Sequence, residues 1–497
     1  MVFAMSGPRF GWLVAFLAIG CAAPVPKGKP GTAVEAWIWH SPIEWSANDT
    51  AAAKELGVSR LLVRGGTLSY DGAEMQVTMP VSIDPKALRN LPADLVFNMD
   101  QGAIRHSENL PAAEIADTIL GAYRKYKFAA PAGLQLDFDF PTRRLGQYAD
   151  ILKSLRQKQP GIRLTMTGLQ TWMNDRAYPA LAQQVDAVYM QFYEGAVAKS
   201  PDDPVRLSNL DRLKKGLARL ESVGRPYYVG VPTYGQCLAF DAQGKRYGVY
   251  RGMGPTNAMR NPRLKLLKQS TERNETRATF EMISADENGR GLGFKLVYRM
   301  PEPGLVNDYE KTVREHAGAL CQGIAIFRWP EPREAMALNP LAVAAVRRGE
   351  TLTPAIEAVT RVGGDAFEYI ESPERGSAAK TVDLVIRNKG LGDAALRLDA
   401  ISVEVALQGV EIGELERRSF DRVDITAGPG KTPASRLRGD RIEFQRGAFR
   451  AGDRLRLGPV SLRATGKESG RATVTITVYP KQGSPIRKTL PSLSIAP

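Results

Sequence analysis

The sequence predicts an α/β fold, a (β/α)8 TIM barrel, followed by a C-terminal all-β sandwich of immunoglobulin-like type. Three observations carry this expectation. Short apolar runs alternate with amphipathic helical patterns between residues 34 and 350, the rhythm of strands joined by crossover helices. A long excursion, about 236–303, interrupts that rhythm late. From residue 351 to 497 helical periodicity gives way to short alternating runs parted by turn residues.

The chain has 497 residues, more than one ordinary core accommodates. Its composition, 43% hydrophobic and 24% charged, is that of a folded globular protein. Lys and Arg exceed Asp and Glu by 67 to 53, a formal charge of +14, yet the basic residues are scattered and form no arm suited to nucleic acid. No nucleic-acid partner is expected.

Residues 1–20 have the shape of a secretory signal: Arg9, then an apolar stretch from Phe10 to Gly20 that is too short to span a bilayer. Residues 21–33, with Pro24, Pro26, Gly28, Pro30 and Gly31, read as a flexible tether. The run Leu17-Ala18-Ile19-Gly20-Cys21 resembles a bacterial lipobox, with Ala18 where Leu is usual. The resemblance implies lipidation of Cys21 and, because Ala22 rather than Asp follows, an address at the outer membrane of the cell envelope, facing the periplasm. The alternative is an ordinary signal peptide cut near Ala22 or Ala23. The lipid would be the chain's one link to the membrane.

The candidate barrel strands are Val34–Trp39, Arg60–Arg64, Leu95–Asp100, Gly133–Phe140, Arg163–Leu169, Ala187–Tyr193, Tyr227–Pro232 and Gly323–Trp329. Between them, Ile115, Ile119, Tyr123 and Tyr126 share one helical face, as do Leu145, Tyr148, Leu152 and Leu155, and Leu210, Leu213, Leu217 and Leu220. An open doubly wound sheet is the alternative, but no glycine-rich phosphate loop follows the first strand. Thr67 to Ile83 reads as a hairpin, and the excursion holds two strand-like runs, Ala278–Ile283 and Gly293–Tyr298, joined by Asp286-Glu287-Asn288-Gly289. The sandwich runs are Thr381–Arg387, Ile401–Leu407, Arg441–Phe444, Val460–Ala464 and Ala472–Tyr479.

Barrel sites sit at the carboxyl ends of the strands. On the fourth strand Gln135, Asp137 and Asp139 share one face, and two carboxylates so placed among apolar residues are expensive to bury without purpose. Close carboxylates raise one pKa and so set a proton donor beside an anion, the pair of states that glycoside hydrolysis needs. The sixth strand offers Tyr189, Gln191 and Tyr193, with Glu194 beyond; the third offers Asn98 and Asp100; the first offers Trp37 and Trp39; the eighth ends in Phe327 and Trp329. Aromatic faces beside amides and acids suit sugar rings. In the structural alternative Asp137 only braces Tyr189 or Arg64, and the tryptophans are core. His40, His106 and His316 lack metal-ligand spacing and no serine sits in a nucleophile elbow, so no metal or cofactor is expected.

The run Ala132-Gly133-Leu134-Gln135-Leu136-Asp137-Phe138-Asp139-Phe140-Pro141 resembles the fourth-strand signature of family 18 glycoside hydrolases, the chitinase-like barrels. The resemblance implies Asp139 as general acid, Asp137 as the residue that orients a substrate acetamido group, Tyr193-Glu194 as the sixth-strand pair and Trp329 as the floor of the sugar pocket. Two departures stand out. Asp139 is one methylene shorter than the family's Glu, and Gln135, in place of an Asp, cannot ionise and couple to Asp137. A closer similarity, over most of residues 34–345, is to the exported bacterial proteins of domain-of-unknown-function family 3142, with their Leu-Asp-Phe-Asp run, Met166-Thr167 to Trp172 and Gln191-Phe192-Tyr193. It implies a glycosidase-like barrel and leaves the activity open. The expected function is a glycoside hydrolase acting on an envelope or extracellular polysaccharide. The rivals are a carbohydrate-binding lipoprotein without catalysis, and a scaffold whose sandwich docks a protein partner.

Cys237 follows the seventh strand and Cys321 precedes the eighth, so roughly 17–20 Å of strand separates residues that a disulfide needs within about 7 Å. No bond between them is expected.

Overall fold

A computed structural model describes residues 28–43, 45–78, 91–126, 133–193, 197–285, 287, 291–331, 334–360, 369–370, 379–426 and 439–497. The expected lipidation at Cys21 and the site residue Glu194 lie outside the described residues, as do Asp286, Asn288 and Gly289 of the expected turn. Among the described residues no helix is long and apolar enough to cross a membrane.

Eight parallel strands close into a barrel: Ala33–Ile38, Val58–Tyr70, Ala93–Met99, Gly133–Asp137, Leu164–Leu169, Ala187–Gln191, Tyr227–Pro232 and Cys321–Trp329. The first strand pairs with both the second and the eighth, which removes every parallel edge. The second strand runs on into a hairpin with Met75–Thr78. Crossover helices pack outside. In Leu145–Lys158 the buried residues Leu145, Tyr148, Ile151, Leu152 and Leu155 recur at helical spacing, each burial worth roughly 1.5–3 kcal/mol. Leu210–Val223 starts on Asn209, whose side chain accepts from the Arg212 amide, and stops at Gly224, whose φ of 73° only glycine adopts freely.

The excursion after the seventh strand is a five-stranded antiparallel sheet, in the order Arg246–Tyr250, Gln236–Phe240, Lys295–Pro301, Glu275–Met282 and Leu264–Glu272. Cys237, Ala278, Phe280 and Tyr298 form its own small core. Two of these strands match the runs read from the sequence. Of the other three, the two at the sheet's edges are largely exposed, so they show no buried alternation in the sequence, and Gln236–Phe240 is a short apolar run of five residues.

The C-terminal region is two antiparallel sheets packed over one core. One orders Ile356–Thr360, Ala379–Asn388, Arg454–Ala464 and Val410–Leu415; the other centres on Arg441–Arg446, Ile401–Gln408 and Gly470–Val478. Ile401, Val403, Val405 and Leu407 point inward in strict alternation. Arg260 meets Asp421 at 2.6 Å and Lys481 meets Glu302 at 3.0 Å, tying the sandwich to the excursion. Cys237 and Cys321 are both buried and free.

Candidate active site at the barrel mouth

The barrel interior is layered, and each layer has its own chemistry. At the base, Asp94 lies fully buried between Arg60, at 2.7 Å, and Arg163. Its carboxylate also accepts from the Gly133 amide at 3.0 Å. A Cβ at Gly133 would fall 2.6 Å from that carboxylate, so the fourth strand begins on glycine to admit it. Glu35 accepts from the Tyr189 hydroxyl at 2.5 Å, and Arg163 donates to the same hydroxyl at 2.8 Å. Burial raises the Glu35 pKa, against the Tyr189 hydrogen bond and the nearby arginines, which lower it. Tyr228 stacks on Tyr189 at 4.6 Å. The base is a closed, paired plug.

Above it Trp37 donates its indole N–H to Gln135 at 2.7 Å, and Gln135 donates to Thr165 at 3.2 Å, within walls of Leu62, Val96, Ala187 and Ala325.

The mouth differs. Phe138 and Phe140 turn outward and stack on Tyr148 under the helix Leu145–Lys158, which leaves Asp137 and Asp139 on the opposite, inner side of the chain. Asp137 accepts from the Thr167 hydroxyl at 2.6 Å and from the Gln191 amide at 3.2 Å. Burial, and then the neighbouring charge of Asp139, push its pKa up to about 7, while Thr167, Gln191 and Arg64 pull the other way. Asp139 is exposed, and no hydrogen bond or ion pair joins it to another described residue. The protein around it nonetheless raises its pKa. The two carboxyls are close enough for the charge on one to raise the pKa of the other.

Around them Asn98, in register with Asp137 on the neighbouring strand, accepts from Thr67 at 2.8 Å, and Thr67 accepts from Arg64 at 2.7 Å. Arg64 lies 5.6 Å from the centre of the Trp39 ring. Phe327 is the aromatic hub: Tyr193 stacks on it at 5.5 Å, and Trp39 and Tyr234 meet it edge-on at 5.6 and 5.4 Å. Among the described residues no cluster of His, Cys, Asp and Glu is arranged to hold a metal.

Of the residues singled out in the sequence, Asp137, Asp139, Gln191, Tyr193, Trp39 and Asn98 lie together at the mouth. Four residues do other work. Trp329 is 1% exposed and donates to Asp49 at 2.9 Å beside Trp45, so its ring packs under the first helix and not among the aromatics of the mouth. The cause is a bulge: Ala36 pairs with Ile326 but Ile38 pairs with Trp329, and the extra residue on the eighth strand flips Trp329 outward and leaves Phe327 as the inward aromatic. Tyr189 belongs to the base plug, because its length carries the hydroxyl down to Glu35. Gln135 is fully buried and committed to Trp37 and Thr165. Asp100 caps the helix Gln101–His106, accepting from the Ala103 amide at 2.7 Å. Phe327 takes the place expected for Trp329, and Arg64, Thr67, Thr167 and Tyr234 join the mouth beyond the expected residues. Arg64 alone carried a signal: a charge in an apolar strand, on the face that Leu62 turns inward.

Known structures resemble the chain at low identity. The chitinase of Chromobacterium violaceum is 15% identical, aligning 64% of this chain with 99% of its own at a TM-score of 0.43. The spore cortex-lytic enzyme SleL of Bacillus cereus is 16% identical, with 66% and 76% covered and a TM-score of 0.44. A chitinase from Bacteroides thetaiotaomicron is 16% identical, with 60% and 89% covered and a TM-score of 0.41. No curated protein sequence matches the chain. Residues 99–267, which carry Asp137, Asp139, Gln191 and Tyr193, match the family described as Domain of unknown function (DUF3142), the family the sequence resembles.

Proposed function

We propose that the chain is a glycoside hydrolase acting on an envelope or extracellular polysaccharide, with Asp139 as general acid. One observation carries this reading: two coupled carboxyls share the barrel mouth in unequal surroundings, Asp137 gripped by Thr167 and Gln191, Asp139 exposed and unpartnered among the described residues. A proton bound near neutral pH belongs to the pair, and Asp139 is the member that faces solvent and reaches a glycosidic oxygen. That oxygen takes the proton as its bond to the anomeric carbon breaks. Asp137 then carries the negative charge that stabilises the oxocarbenium-like centre or orients the sugar. Phe327, Trp39 and Tyr193 offer aromatic faces to the ring, and Gln191 and Asn98 offer amides to its hydroxyls.

The test is hydrolysis of a polysaccharide panel, read as new reducing ends, by the wild type and Asp139→Asn. The variant is expected to fold normally and release none. Unchanged release on any glycan the wild type cleaves rules Asp139 out as the acid. The second reading, a binding protein without catalysis, is favoured by the short reach of Asp at position 139 and by Gln135 being committed to Trp37. Glycan retention without product after long incubation would select it. The N-terminal reading adds a location, the cell envelope, with lipid on Cys21; Cys21→Ser should release the protein from the membrane fraction and abolish its labelling by a radioactive fatty acid.

A further inference from the structure

A cavity of about 580 Å³ opens beside the mouth, above the start of the helix Leu210–Val223. That volume lies within the usual range for small-molecule sites, ~300–1,000 Å³. It adjoins the proposed sugar site directly, because Tyr193 lines it and also stacks on Phe327. Gln170 lines it too; its amide donates to the Gln191 carbonyl at 2.9 Å, while its own Oε1 is buried without a hydrogen-bond partner among the described residues.

The charges of the lining are lopsided. Among the described lining residues the basic ones, Arg206, Arg212, Lys214 and Arg273, outnumber the one acid, Asp211, and Arg212 is itself engaged with a partner. Arg206 is paired with Glu272 at 2.5 Å, whereas no ion pair joins Lys214 or Arg273 to another described residue. The wall is also held firmly from behind. Buried Glu275 accepts from the Leu207 amide at 2.9 Å, Arg277 donates to the carbonyls of Pro201 and Asp203, and Arg299 donates to that of Val205 at 3.3 Å. The excursion sheet thus fixes residues 201–207, and with them Arg206, in place, while Lys214 and Arg273 stand exposed at the rim.

We infer that this cavity is an extension of the sugar groove that binds anionic units of the polysaccharide, which makes the favoured substrate an acidic glycan. The inference rests on the mouth being a glycan site. Guanidinium and ammonium groups at the rim pair with sugar carboxylates or sulfates, and the chain's net charge of +14 draws a polyanion toward it.

The experiment is calorimetric titration of the full chain at low salt with hexameric oligogalacturonate, its methyl ester, and a sulfated neutral oligosaccharide. The expected result is at least about tenfold tighter binding of the acid than of its ester, a preference that fades at 0.5 M salt. Lys214→Glu combined with Arg273→Asn should erase it; Asn is chosen because position 273 has a φ of 49°, which Asn tolerates. Binding of the sulfated sugar in place of the uronate assigns the site to sulfate; binding of both, each lost in the variant, assigns it to anionic sugars generally. Equal binding of acid and ester, or undiminished binding by the double variant, overturns the inference, as does a wild type that cleaves or binds only neutral glycans; that last result leaves the proposed hydrolase intact. Conversely, Asp139→Asn should keep the charge preference. If it keeps turnover as well, the catalytic assignment fails while the acidic subsite stands.

Discussion

The two ends of the barrel each hold two carboxylates and treat them in opposite ways. At the base, Glu35 and Asp94 are buried with Arg60, Arg163, Tyr189 and the Gly133 amide, so both acids are supplied with donors. At the mouth, Asp137 has two neutral donors and Asp139 has none among the described residues. A buried charge is retained for stability only when it is paired. The base meets that condition. The mouth does not, and an acid left without a partner where solvent enters is available to a substrate.

The comparison can be broken in four places, in decreasing order of effect. Asp139→Asn should cut hydrolysis by about 10²–10⁴-fold, the scale of a lost general acid, with thermal stability unchanged. Asp94→Ala should do the reverse: it strands two arginines at the base and should destabilise the fold by about 3–5 kcal/mol in denaturant unfolding. The eighth-strand aromatics should separate in the same way. Phe327→Ala should weaken glycan binding about tenfold, or 1.4 kcal/mol, whereas Trp329→Phe should leave binding alone and cost stability of about 1 kcal/mol through the lost bond to Asp49. The smallest effect is at Asp137. Its folded pKa of about 7 lies above the ordinary value of 3.8, so the folded state holds a proton that the unfolded state has released, and stability falls as pH rises through that interval. Asp137→Asn should flatten that slope and stabilise the protein at pH 8 by roughly 1 kcal/mol, read from unfolding curves at pH 4 and 8.

What the sequence revealed follows from which patterns are local. All eight barrel strands are apolar runs, and the inward facing of Asp137 follows from simple alternation. The role of Trp329 was not legible, because one extra residue in a strand shifts every later side chain to the other face and leaves no mark in the residue types. Tyr189 was misplaced for a different reason: alternation says that it points inward but not that its hydroxyl reaches down to Glu35. Asp100 was legible after all, since an Asp immediately before a helix is a capping signal that competed with the functional reading. The edge strands of the excursion are largely exposed on both faces and so carry no alternating apolar pattern that sets them apart from loop.

The central claim is that Asp137 and Asp139 form one coupled acid pair at an open mouth. A carbon-detected NMR titration of the aspartate carboxyls in the wild type and in Asp139→Asn tests it directly. The account predicts a carboxyl that titrates at about 7 and moves toward the ordinary carboxylate range when the charge at 139 is removed. Titration of both residues near pH 4, with Asp137 unmoved by the substitution, would contradict it.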